Sequence, residues 1–106
     1  MMDAQKYTYR VIWSEKDGEF VGLCAEFPSL SWLASTQADA LSGIVDQVKG
    51  VIADMTDQQE DIPVPLSLRS FSGRFVVRTT PETHRRLAIQ AEESGVSLNR
   101  YINSML

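Results

Sequence analysis

The sequence predicts an α+β protein in two parts: a small amino-terminal sheet of three to four strands carrying one long helix, then a strand-helix-helix module. Three features carry that expectation. YTYRVIWS near the start alternates apolar and polar residues with the period of a strand. Leu41, Ile44, Val45, Val48, Val51, Ile52 and Met55 recur with helical spacing. The closing stretch SGRFVVRTTPETHRRLAIQAEESGVSLNRYINSML reads as one short strand, a proline turn, and two helices parted by a glycine.

In the first strand, Tyr7, Tyr9, Val11 and Trp13 share one face, and Thr8, Arg10, Ile12 and Ser14 the other. Asp17-Gly18 predicts a tight hairpin with positive backbone torsions. FVGLCAE is the returning strand, Pro28 holds a bend, and LSWLA is a third strand. Thr36 caps the long helix, with Asp39 three residues on. Its stripe from Leu41 to Met55 is expected to lie across the sheet. Gly43 and Gly50 fall off that stripe, each weakening the helix by about 1 kcal/mol relative to Ala, and are read as possible sites of close approach by a partner backbone. DQQEDIPVP is the helix exit, and PLSLRSF a candidate fourth, edge strand.

In the tail, Arg74, Val76 and Arg78 alternate with Phe75, Val77 and Thr79. A single strand of this kind needs a second one to pair with. Thr80 caps the next helix and Pro81 takes its first position. His84, Leu87, Ala88 and Ala91 form its apolar stripe, Gly95 ends it, and Ser97 caps a last helix with Leu98, Tyr101, Ile102 and Met105 on one side. Strand, helix, short turn, helix is the order of a ribbon-helix-helix chain. The organisation expected is therefore a body over residues 1–66, a linker at 67–72 and the module at 73–106.

Charge divides the same way. Residues 1–66 hold eleven Asp or Glu against four Lys or Arg, a net charge of −7, whereas residues 67–106 hold six Arg against three Glu, a net charge of +3. An acidic body with a basic tail suggests partners of opposite charge, with nucleic acid for the tail. No long apolar run and no signal-peptide pattern is present, so a cytoplasmic protein with no membrane association is expected. Cys24 stands alone, giving neither a disulfide framework nor a metal site, and is read as a small buried apolar residue.

FVVRTTPETHRRLAIQAEESGVSLNRYI resembles the carboxy-terminal module of HicB antitoxins, itself similar to ribbon-helix-helix repressors of the Arc and MetJ type. YTYRVIWSEKDGEFVGLCAEFPSL, the helix after it and the proline-containing exit EDIPVP are similar to the HicB body, a degenerate ribonuclease-H-like fold. The second strand's end and the stretch before the helix, FPSLSWLASTQADAL, depart from the family's glycine-containing pattern, and the last helix is short. The resemblance implies that two chains pair their strands into a ribbon that enters the DNA major groove. It assigns DNA contact to Arg74, Val76 and Arg78 on the strand. At the last helix start it assigns phosphate contact to Ser97, Leu98 and Asn99, where free N–H groups favour anions.

An active nuclease of that fold needs clustered carboxylates on the sheet to hold metal ions, and the first strand has none. Glu26 near a strand end is read as solvated, and His84 as a packed or hydrogen-bonded helix residue. The expectation is a non-enzymatic antitoxin, without cofactor or metal, which neutralises a HicA-type mRNA-cleaving toxin and represses its own operon as a dimer through the tail, with higher oligomers possible. The alternative is a ligand-responsive ribbon-helix-helix repressor without a toxin partner.

Overall fold

The structure, a computed structural model, describes residues 2–106. It divides into two compact units, Met1–Phe71 and Ser72–Leu106.

The first unit is an antiparallel meander of three strands, β1 (Tyr9–Ser14), β2 (Glu19–Cys24) and β3 (Ser31–Ala34), with α1 (Gln37–Asp57) packed across it. The β1–β2 register runs from Tyr9 opposite Cys24 to Ser14 opposite Glu19; on β2's other side Phe20 faces Ala34 and Leu23 faces Ser31. The hairpin takes four residues, 15–18, instead of the tight two-residue turn expected. Only Gly18 has positive φ there, because Ser14 and Asp17 already bond each other and shape the rest of the turn.

Thr36 caps α1 as expected, its hydroxyl accepting from Asp39 N at 3.1 Å. The buried stripe is narrower than the sequence implies: Ala40, Ile44, Val48 and Ile52 face the sheet, while Leu41 is turned out to 44% exposure. Small residues set this orientation. A Cβ added at Gly22 on β2 would run into Ala40 O and the Ile44 side chain, so helix and strand touch backbone to backbone. Gly43 serves the chain's own fold and not a partner, for the Trp32 indole lies where its Cβ would stand. Around Ile44, Val48 and Ile52 the core gathers Ala4, Tyr7, Cys24 and Phe27, with the Tyr7 and Phe27 rings 5.3 Å apart. Burying that apolar surface is the main force holding the unit together.

No fourth strand forms among the described residues. Leu66–Leu68 is a 3-10 turn, because Pro63 and Pro65 remove two ladder donors and Leu66 N is already taken by Glu26. Side chains fasten this exit instead: Tyr7 OH donates to Pro63 O at 2.7 Å, Ser67 Oγ to Lys6 O at 2.6 Å, and Arg69 Nε to Val64 O at 2.8 Å.

The second unit contains α2 (Pro81–Glu93) and α3 (Leu98–Asn103). Thr80 and Ser97 cap them, accepting from Thr83 N and Arg100 N. Gly95, at φ +71°, ends α2: Val96 N donates to Ala91 O and Gly95 N to Glu92 O, the paired bonds of a Schellman motif. The same pair closes α1, where Glu60 N donates to Met55 O and Gln59 N to Thr56 O, but there the left-handed position holds Gln59 at φ 55°. The strand expected over residues 74–79 is not formed in the single chain, since this unit offers no second strand to bond it.

Candidate functional site

Ser72–Leu106 is a unit without a closed core. Among its described residues only Ala91 is buried, and Phe75, Val76 and Val77 are 74%, 86% and 71% exposed. α2 and α3 meet at their near ends, where Tyr101 OH donates to Gln90 Oε1 at 3.1 Å. His84 is exposed rather than packed, because it stands in α2's first turn while those contacts lie near Gln90 and Ala91.

The extended segment and the start of α3 form an open groove of about 1050 Å³. Phe75, Val77, Leu98, Ile102 and Leu106 give it apolar walls, and Arg74, Asn99 and Asn103 add polar groups. Of the six residues assigned to DNA, Arg74, Val76, Leu98 and Asn99 line this groove together; Arg78 and Ser97 do not. Arg74, Arg78, Ser97 and Asn99 are exposed, and Leu98 is half-buried. The Ser97 hydroxyl oxygen is occupied by the cap to Arg100 N, so what the helix start presents outward is its first backbone N–H groups. Phe75 and Val77 were expected to face away from Val76, but with no partner strand all three stand in solvent.

Glu26, in the first unit, is the polar residue that sequence reading misjudged. It is not a free solvated acid: its carboxylate accepts from Thr8 N at 3.0 Å, Thr8 Oγ1 at 3.1 Å and Leu66 N at 2.8 Å. Burial pushes its pKa upward, but the N–H donors of Leu66 and Thr8 outweigh it and hold the carboxyl below its ordinary 4.5. The role rests on a contact 40 residues away along the chain, which no local pattern announces. Cys24 is buried as expected, and burial raises its thiol pKa, leaving it a weak nucleophile. Tyr9, whose hydroxyl donates to Ala4 O at 2.6 Å, is pushed up to about 12, chiefly by burial. None of these groups is poised for acid-base work near neutral pH.

Among the described residues no helix is long and apolar enough to cross a membrane. The model of the HicB family matches residues 58–106, from the end of α1 through the whole second unit, so this part of the chain is similar to HicB proteins. No curated protein and no solved structure matches the chain.

Proposed function

We propose that the chain is a HicB-type antitoxin: its tail pairs with that of a second copy and binds operator DNA, and its acidic body masks a basic, RNA-cleaving toxin. The observation that carries this reading is the unfinished tail. A segment of strand length exposes Phe75, Val76 and Val77 between two arginines, beside two helices that bury one residue. Pairing two such segments satisfies their backbone donors and acceptors and gives both helix pairs a common core. The match to the HicB family falls on this same stretch, and HicB proteins belong to toxin-antitoxin systems.

On the paired ribbon, Arg74 and Arg78 are two-pronged donors suited to guanine O6 and N7, and Val76 offers apolar contact to a thymine methyl. Ser97, Leu98 and Asn99 seat the phosphate backbone, which fixes position without reading sequence. The repressor-only alternative is less well supported, because the cleft beside Thr8, Arg10 and Pro28 encloses about 290 Å³, at the lower limit for a small-molecule site.

Binding to a palindromic operator and to a scrambled duplex at fixed salt tests the tail. Arg78→Ala should cost about 1–3 kcal/mol on the operator and narrow the gap between the two duplexes; Asn99→Ala should weaken both about equally. An unchanged gap with both substitutions removes base reading by the ribbon. For the body, co-expression with small basic proteins encoded nearby should reveal one whose toxicity the chain suppresses; if none is neutralised, the antitoxin half of the reading fails.

A further inference from the structure

One face of the body's sheet carries α1; the other is left open. Register places Ile12, Val21 and Leu33 side by side across the three strands, with Ile12 and Leu33 43% and 47% exposed. On one side of this apolar row stand Arg10, Leu23 and Ser31, and on the other stand Ser14 and Glu19. The face thus has one cation at one end and one anion at the other, and is neutral in a body whose net charge is −7. A strongly basic partner gains nothing here that it would not gain better elsewhere on the body.

The pattern is self-complementary. Turned over about a two-fold axis along the apolar row, the face sets Ile12, Val21 and Leu33 on their own counterparts, brings Arg10 of each copy over Ser14 of the other, and brings Leu23 over Glu19. Strand spacing of about 4.8 Å leaves Glu19 one strand from Arg10's landing point, within reach of a guanidinium. Arg10 is available for this: among the described residues the one ion pair is Lys49 with Asp46. Two sheets stacked in this way lie about 10 Å apart with their strands nearly aligned.

We propose that this open sheet face packs against the same face of a second copy, forming an isologous contact separate from the tail. The contact is small. The face presents eight side chains, against about 20–30 residues a side in a stable interface, so it acts when something else already holds chains close. Tail pairing supplies that local concentration, and to this extent the inference rests on the dimer proposed above.

Cysteine cross-linking of the intact chain tests it. The axis places Leu33 over its own counterpart across the roughly 10 Å between the sheets, so a short bis-maleimide should join Leu33→Cys to its counterpart much faster than it joins Lys49→Cys on α1's outer side; Cys24, buried, stays silent. Adding Arg10→Glu should slow the Leu33→Cys reaction about threefold to tenfold, and adding Glu19→Arg as well should restore it, as charge pairs across the interface require. Equal rates for Leu33→Cys and Lys49→Cys, or no rescue by the double exchange, overturn the proposal. So does a face that stays uncross-linked while Leu33→Glu abolishes binding of a basic protein, for it then belongs to that protein. Sedimentation of the same samples reports whether the tails associate, so failure of this contact is distinguishable from failure of the tail dimer.

Discussion

The two units spend their apolar residues differently. In the body, Ile44, Val48 and Ile52 disappear against the sheet, and the exit after α1 is tied back by the side chains of Tyr7, Glu26 and Ser67. In the tail, Ala91 alone disappears, and three consecutive apolar residues remain in water. Alternation and helical spacing are just as clear in GRFVVRT and the helices after it as in the body. The difference shows that a helix can follow from its local pattern, as α2 and α3 do, whereas a strand forms only beside another strand: the body contains such neighbours, and the tail of a single chain does not.

The largest test of that contrast compares two truncations. Ile44→Ala should cost the body about 2–4 kcal/mol, read as a drop in urea midpoint that does not depend on protein concentration. Phe75→Ala should leave the body's transition in place and lower a separate one whose midpoint rises with concentration, as partner-dependent folding demands. A concentration-independent response to Phe75→Ala would break the contrast.

A smaller effect belongs to Glu26. Its carboxyl is held below the ordinary value, so its contribution to stability is complete above pH 4.5 and is lost as pH falls through the depressed folded value. Glu26→Gln should cost about 1–3 kcal/mol at neutral pH, and should flatten the fall in urea midpoint seen on acidification of the native chain. If the two chains lose stability in parallel below pH 4.5, Glu26 is not the group that titrates.

The smallest expected effect sharpens the comparison at two helix ends. Both α1 and α2 stop in the same hydrogen-bonded motif, one with Gln59 and the other with Gly95 in the left-handed position. Gln59→Gly should raise the body's stability by about 0.5–1 kcal/mol by relieving a side chain of a conformation it resists. Thermal melts resolve a change of this size.

These cases also mark what could be read from the chain alone. Thr36, Thr80 and Ser97 announce their helices because a cap is a matter of three or four neighbouring residues. The hairpin, the three-stranded order and the end of α1 are legible for the same reason. Leu41 was misassigned because the choice between it and Ala40 is made by Gly22 on another element. Gly43, a candidate opening for a partner by sequence, accommodates Trp32, and PLSLRSF, a candidate edge strand, has its Leu66 N–H claimed by a distant glutamate. The arginines and the helix start assigned to DNA lie on exposed surface, where contacts within a single chain do not set them apart from other solvated residues.

The hydrogen bond from Ser67 to Lys6 O joins the place where the chain enters the body to the place where it leaves. A fold whose entry and exit adjoin behaves like a bead on a string: what is joined after it can be exchanged without opening its core. Evolution is thus free to give this body a different recognition module, or this module a different body, by recombination within the few residues between Arg69 and Gly73.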